Sequence, residues 1–243
     1  MRQNFAVIIP MANEEKDFQP FVNALIEVLN QLECGLVYFI VDKASKDRTL
    51  QLCQQTSSTD ARFVTVWAPE TRNVVEAYIC GYQVAAKAKH DFIIEMDAGL
   101  SHDPNAIPRF LSLLLKDYDC VFGSRFITGG AIIDSNWERT FLSRVGTSLS
   151  NLLLGTKMHD MTSGFQGFSL EIVKKFLAYN LLSEAHFYQT ELRYLLRKTR
   201  FVEVPIQYRA PSPRVSGKAI LNSIYVLLHY VGKRVAFKAP SIK

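Results

Sequence analysis

Asp91-Phe92-Ile93-Ile94-Glu95-Met96-Asp97-Ala98-Gly99-Leu100-Ser101-His102-Asp103-Pro104 is the stretch from which the rest of the chain can be read. Its first half is a mostly apolar run of strand length. Its second half sets an acid, two small residues and a polar cluster before a proline that can open a helix. A carboxylate at the carboxyl end of a buried parallel strand is a usual meeting point between an α/β sheet and a ligand. An Asp in an ordinary turn is the plainer alternative for Asp97, and Asp103 reads as a helix cap.

Upstream, short apolar runs alternate with amphipathic segments. Strands are expected at Phe5–Ile9, Leu36–Val41, Arg62–Trp67, Phe92–Met96 and Cys120–Phe122, and helices at Asp17–Leu32, Asp47–Gln55, Asn73–Lys89 and Asn105–Lys116. That alternation predicts an α/β fold, with a mostly parallel central sheet and helices on both faces. Each expected strand is followed by a polar cluster: Pro10-Met11-Ala12-Asn13-Glu14-Glu15, then Asp42-Lys43-Ala44-Ser45-Lys46-Asp47, then Arg72-Asn73, Asp97, and Gly123-Ser124-Arg125. In a parallel sheet all five lie on one edge, where such folds bind ligands.

Beyond Gly130 the pattern changes. Trp137–Leu154 reads as a helix with Phe141, Leu142, Val145, Leu149, Leu152 and Leu153 available for burial. Turn-rich His159–Phe165 leads to an apolar segment. Glu184–Arg197 reads as a helix, Phe201–Tyr208 as one strand, Pro211–Lys218 as a loop and Ala219–Phe237 as a basic amphipathic helix. No linker or repeat interrupts the chain. It is read as one domain over 1–243: a ligand-binding half over 1–130, a second half over 131–218 and the terminal helix over 219–243.

Composition narrows the classes. Of 243 residues, 48% are apolar and 21% charged, which is globular rather than disordered. The four cysteines are scattered without metal-ligand spacing and read as buried thiols in a reducing compartment. No apolar stretch approaches the ~18 residues of a membrane span, so the chain is read as cytoplasmic. The net charge of +5 is uneven: from Arg193 to Lys243 eleven Lys or Arg stand against one acid, Glu203. Such an end suits an anionic partner such as phosphate or a lipid headgroup, and the last helix can lie on a membrane surface as a peripheral contact. No nucleic-acid module accompanies it. Neither GxGxxG nor GxxxxGK[ST] follows a strand, which disfavours a dinucleotide-dependent dehydrogenase and a P-loop kinase.

Taken together the motifs resemble family 2 glycosyltransferases of the A-type nucleotide-sugar fold, and most closely their dolichol-phosphate mannose synthase branch. The resemblance rests on Ile8-Ile9-Pro10 with Asn13-Glu14-Glu15, Val41-Asp42 with Ser45 and Asp47-Arg48-Thr49, Met96-Asp97-Ala98, and Gly123-Ser124-Arg125-Phe126 with Gly129-Gly130. It continues through Asp160 with Ser163-Gly164-Phe165, Glu191 and Val204-Pro205-Ile206. It implies transfer of a hexose, with inversion, from a GDP- or UDP-sugar to polyprenyl phosphate at the cytoplasmic membrane face. A glycan acceptor in surface polysaccharide assembly is the alternative, and a non-catalytic sugar-nucleotide-binding relative is a third reading.

By the same resemblance Pro10, Ala12, Glu14 and Asp42 would hold the nucleoside, with Lys43, Arg72 and Ala98 at the same edge. Asp97 would hold a divalent cation, Mg²⁺ or Mn²⁺, on the diphosphate. Arg125 would sit near the sugar or acceptor phosphate, Asp160 in the loop closing the sugar pocket, and Arg209, Arg214 and Lys218 in a phosphate-clamping loop. Glu191 would act either as a base for a hydroxyl acceptor or as a hydrogen-bonded anchor. The histidines His102, His159 and His186 read as structural. Several positions depart from the family pattern: Gly99 replaces the second carboxylate of Asp-x-Asp, Ser101 the amide that often helps ligate, Lys43-Ala44 an acid and a glycine of Asp-Asp-Gly-Ser, and Asn73 a glycine. A hard cation would then rest on Asp97, diphosphate oxygens and water, with Lys43 or Lys218 expected to add positive charge.

Overall fold

The computed structural model describes residues 4–32, 34–133, 137–209 and 217–243. The first half runs β1 (Phe5–Met11), α1 (Phe18–Leu29), β2 (Gly35–Val41), α2 (Thr49–Thr59), β3 (Phe63–Trp67), α3 (Val74–Lys87), β4 (Phe92–Glu95), a 3-10 turn at Pro104–Ala106, α4 (Ile107–Leu114) and β5 (Cys120–Ser124). The second half adds β6 (Ala131–Ile133), α5 (Trp137–Leu154), β7 (Gln166–Ser169), α6 (Leu170–Leu177), α7 (Tyr188–Leu195), β8 (Phe201–Pro205), β9 (Gln207–Arg209) and α8 (Gly217–Val235). Seven strands form one sheet in the order β3-β2-β1-β4-β7-β5-β8, and β6 pairs with β9 apart from it. β7 alone runs antiparallel in the large sheet, to both β4 and β5. The expected mostly parallel α/β architecture is therefore present, and β1 to β5 do end on one edge.

Alternation along the strands sorts the core into two layers, because successive side chains point to opposite faces. Ala6 and Ile8 of β1 join a cluster with α3, α6, α7 and two residues of α8, Val226 and Tyr230. Phe5, Val7, Ile9 and Met11 join the other, beneath α1 and α4. α1 buries Phe18, Phe21, Val22, Leu25, Val28 and Leu29, the i, i+3, i+4, i+7 stripe expected of a helix on a sheet.

Several boundaries differ from expectation. β1 continues through Pro10 to Met11, because β4 ends opposite Ile8 and the missing Pro10 N–H falls where no β4 partner remains. The expected strand Phe201–Tyr208 is two, broken at Ile206: β8 pairs with β5 and β9 with β6. Strands β6 and β7 were not anticipated. Phe141, Val145, Leu149 and Leu152 of α5 are exposed rather than buried; Leu142 lies outside what is described. Of the cysteines only Cys53 and Cys120 are buried, and all four are free thiols. Among the described residues no helix is long and apolar enough to cross a membrane.

Gly123, in the Gly-Ser-Arg motif on β5, has a packing reason to be glycine. A Cβ there would lie 2.9 Å from the Phe165 carbonyl oxygen and 3.0 Å from the Ile206 side chain. The Gly123→Ala variant should lose about 1–3 kcal/mol of stability, read as a lowered urea midpoint with an unchanged m-value.

Candidate functional site

The carboxyl ends of β1 to β4 open into a cleft of about 800 Å³. Pro10, Ala12, Glu14, Asp42, Arg72, Asp97, Ala98 and Arg209 all line it, together with Asp17, Asn73, Tyr78, Gly99 and His186. Lys43 and Lys218 are exposed and do not line it; Arg125, Asp160 and Glu191 are buried outside it. Arg214 lies outside the described residues.

The two loops that follow β1 and β2 are bolted together by their own motif residues. Asn13 adopts a left-handed backbone (φ 60°), which an asparagine tolerates. Its amide donates to the Ala44 carbonyl and accepts from the Lys46 N–H. The Glu14 N–H donates to Thr49 Oγ1, the Glu15 N–H donates to Asp47, and Glu15 pairs with Arg48 at 2.6 Å. Asn13, Glu15, Asp47, Arg48 and Thr49 thus hold the loops, while Glu14 and Asp42 face the cleft. The Ala44 N–H engages one Asp42 oxygen at 2.8 Å. Burial, then the neighbouring Asp17, Asp47 and Asp97 charges, push the Glu14 carboxyl above its ordinary range.

Asp97 is fixed from both sides. The Tyr78 hydroxyl donates to its Oδ1 at 2.7 Å, and its backbone N–H donates to His102 Nδ1 at 3.1 Å. An imidazole nitrogen that accepts is unprotonated, so His102 carries its proton on Nε2. That atom is buried without a partner among the described residues, and burial lowers the imidazole pKa. His102 packs against the Phe165 and Tyr208 rings, which makes it a support for the Asp97 backbone. Gly99 takes φ +72°, and a Cβ on it would lie 3.4 Å from Glu14 Oε2. Asn73, at the position of a family glycine, caps α3 by accepting the Glu76 N–H. Arg72, at the cleft rim, is ion-paired with Glu76, whose carboxyl is held low chiefly by Arg72 and in small part by Lys43.

Beneath the cleft floor lies a polar network that sequence reading missed. Glu95 is fully buried and accepts from Tyr82, Tyr188 and Gln166 at 2.6, 2.5 and 2.7 Å. Burial raises its pKa to about 7 against those three hydrogen bonds. Gln166 also accepts from Arg193, whose guanidinium donates to the carbonyls of Gly123, Asp160 and Ser163. Arg125 makes a bidentate pair with Asp160, both bonds 2.8 Å, and donates to Thr162. Burial would push the Asp160 carboxyl up, but hydrogen bonds and charge from Arg125, with Arg193 behind, hold it down to about 2. Glu191 accepts from the N–H groups of Leu182 and Ser183 and from the Tyr230 hydroxyl, an anchoring geometry. His159 is exposed and bonded to Glu203.

A divalent cation fits this arrangement in a limited way. Among the described residues no group of three or more His, Cys, Asp or Glu is placed to hold an ion by itself. The Asp97 carboxylate is part-exposed to the cleft, and one carboxylate with substrate phosphates and water is a usual Mg²⁺ environment.

A family model described as Glycosyl transferase family 2 matches residues 6–177. A polyprenol monophosphomannose synthase of Mycolicibacterium smegmatis is 28% identical over 209 residues, covering 85% of this chain and 77% of that protein. An undecaprenyl-phosphate mannosyltransferase of Micrococcus luteus is 25% identical over 224 residues, covering 88% and 90%. Among solved structures, glucosyl-3-phosphoglycerate synthase from Mycobacterium tuberculosis in complex with UDP superposes with a TM-score of 0.69 at 15% identity, covering 95% of this chain and 80% of that one. The same enzyme with Mn²⁺, UDP and phosphoglyceric acid gives 0.65 at 14%, covering 99% and 80%. At that identity the likeness shows the fold alone.

The Arg125–Asp160 pair makes a stability prediction. Arg125→Met leaves a buried carboxylate unpaired and should cost about 3–5 kcal/mol at neutral pH. In the wild type, the Asp160 contribution is present above its ordinary pKa of 3.8 and is lost as pH falls through about 2. In the variant burial dominates, so stability should instead recover as pH is lowered through the carboxylate range. Urea unfolding of both proteins between pH 7 and 2 reads the two slopes, the variant's above pH 4 and the wild type's below it.

Proposed function

The chain belongs to glycosyl transferase family 2, in the dolichol-phosphate mannose synthase-like branch, and from that premise we propose that it transfers a hexose, mannose by its relatives, from a nucleoside diphosphate sugar to polyprenyl phosphate with inversion. The carrying observation is Asp97, held by Tyr78 and His102 at the end of β4 and facing a cleft built from four strand ends.

The nucleoside would lie against Pro10, Ala12, Glu14 and Asp42, and the diphosphate toward Asp97, Ala98 and the amino-terminal end of α3, whose free N–H groups favour anions. A divalent cation, carried by Asp97 and the diphosphate, would neutralise charge building on the leaving group. Arg72 and Arg209 are the bases that line the cleft, so they rather than Lys43 are placed to receive phosphate oxygens. An acceptor phosphate oxygen attacks the anomeric carbon as the sugar–diphosphate bond breaks, and the electron pair leaves with the nucleoside diphosphate. That oxygen is already anionic and needs no base. The phosphate acceptor is supported over a sugar hydroxyl by Glu191, whose carboxylate is occupied by three donors away from the cleft.

Calorimetric titration with GDP and with UDP, each with Mn²⁺ and with EDTA, should show one nucleotide bound and the binding weakened by chelation. Asp97→Asn should lower kcat/KM for transfer to polyprenyl phosphate by roughly 10²–10³-fold with an unchanged unfolding midpoint; retained turnover would sink the assignment. Gly99→Asp restores a carboxylate beside Glu14. It should bind Mn²⁺ with nucleotide more tightly than wild type, and unfold more easily without metal because two acids then face each other.

A further inference from the structure

We propose that a cavity beside the cleft, between α3 and the segment 177–184, is a binding site for a neutral saccharide, distinct from the cleft that holds Asp97. Such a site is additional to the hexose transfer proposed above and stands on its own geometry.

The cavity has a volume of about 610 Å³, within the range usual for small-molecule sites. Its first wall is α3. Arg72, Glu76 and Ile79 line it at spacings of four and three, a single stripe that starts just before the helix. Leu177, Leu181 and Leu182 line it as well, and with Ile79 they are part-buried against the core. Polar groups therefore stand beside an aliphatic surface.

The second wall is fixed through its backbone, which leaves its side chains to meet a ligand. Three successive N–H groups are taken. Those of Leu182 and Ser183 donate to Glu191, and that of Glu184 donates to Asn222 of α8, whose amide donates back to the Leu182 carbonyl. Glu191 is itself held by the Tyr230 hydroxyl. Ser183 lines the cavity at 5% exposure, and its Oγ meets no partner among the described residues. A buried hydroxyl without a partner costs free energy that a ligand hydroxyl would recover.

The chemistry of the walls selects the occupant. The Glu76 and Glu184 carboxylates accept, while Asn180 and Ser183 both donate and accept. Among the described lining residues Arg72 is the base that stands against those two acids. Its pKa is raised first by Glu76 and in small part by Glu184 from the opposite wall. The balance is negative, so a phosphate or carboxylate would be repelled. A metal ion would find no group of three acidic, thiol or imidazole ligands among the described residues. A hydrocarbon chain would strip water from these polar side chains without replacing their hydrogen bonds. A pyranose meets every condition: it is uncharged, its hydroxyls donate and accept, and its C–H face packs on aliphatic side chains. Arg72 and Asn73 also line the cleft, so the two spaces meet at the start of α3.

The test is saturation-transfer NMR on the full chain without nucleotide or metal. Methyl α-mannoside and methyl α-glucoside are the neutral probes, and mannose 1-phosphate is the charged one. Turnover is not needed, so failure of the transfer reading and failure of this site are separate results. At least one neutral glycoside should bind the wild type, and mannose 1-phosphate should bind more weakly than methyl α-mannoside. Ser183→Ala should weaken glycoside binding about five- to tenfold, the loss of one hydrogen bond. Its unfolding midpoint should stay the same or rise, because the hydroxyl removed is unpaired in the free protein; a merely structural Ser183 would lower it. Asn180→Trp places an indole at an exposed lining position and should abolish binding, whereas Asp97→Asn should leave it intact. Failure of both glycosides to bind would overturn the site. So would binding lost in Asp97→Asn but kept in Asn180→Trp, since the sugar would then lie in the cleft. Tighter binding of mannose 1-phosphate that Asn180→Trp removes would overturn it too, since the occupant would then be an anion.

Discussion

The amide of Gln166 lies between the buried Glu95 carboxyl and the buried Arg193 guanidinium, and the sheet edge that carries Asp97 is organised by that contact. Its nitrogen donates to Glu95 and its oxygen accepts from Arg193. Neither group is solvated, so each must be met by protein dipoles if it is not to destabilise the fold. The antiparallel strand β7 brings this amide between β4 and β5. Without it the carboxylate on one strand and the guanidinium beneath the other would lack their shared partner. Arg193 then spends its other donors on three carbonyls, Gly123 on β5 and Asp160 and Ser163 in the loop before β7. A charged group buried under a loop thus sets the path of the loop.

The same network reaches the cleft through aromatic side chains. Tyr188 donates to Glu95 and packs on Tyr78 with ring centroids 5.4 Å apart, and Tyr78 donates to Asp97. Asp97 is therefore oriented from the hydrophobic interior, while the cleft-facing side of its carboxylate stays open. The phenols of Tyr78, Tyr82 and Tyr188 are held well above their ordinary pKa, first by burial and then by nearby carboxylates. They remain donors across the working pH range. If Asp97 acts on a substrate, such support matters, because a misplacement of an ångström can cost orders of magnitude in rate.

How much of this was legible follows from which patterns carry information. The alternation of strand-length and helix-length segments gave the layers, and polar residues after each strand gave the edge, because both are local and periodic. β7 was hidden: Gln166-Gly167-Phe168-Ser169 lacks the β-branched residues that mark a strand, and its pairing partners are far away in sequence. Arg193 was hidden for another reason. It looked like one of eleven bases in a basic tail, yet it is fully buried. Periodicity on α5 revealed a stripe but not which way the stripe faced, and the hydroxyls opposite were the overlooked signal. Arg125 and Asp160 were singled out by motif. That they take each other as partners depends on the loop path that Arg193 fixes.

The distribution of charge links the two faces of the molecule. Glu14, Asp17, Asp42 and Asp97 all line the cleft, against Arg72 and Arg209, and Arg72 is already paired with Glu76. The raised Glu14 carboxyl records the mutual repulsion in that region, after burial. A diphosphate placed there would add negative charge to a site that has too much, and in a low-dielectric cleft the penalty is larger than in water. Replacement of the second motif carboxylate by Gly99 lessens the excess without removing it. An anion bound there would need to bring its own counter-charge. The outer surface of α8 is the reverse, basic and apolar, and the helix itself carries no acid. One fold thus separates an acidic cleft from a basic and apolar helix face. The segment joining them, from Leu182 to His186, is held by Glu191 on one side and Asn222 on the other.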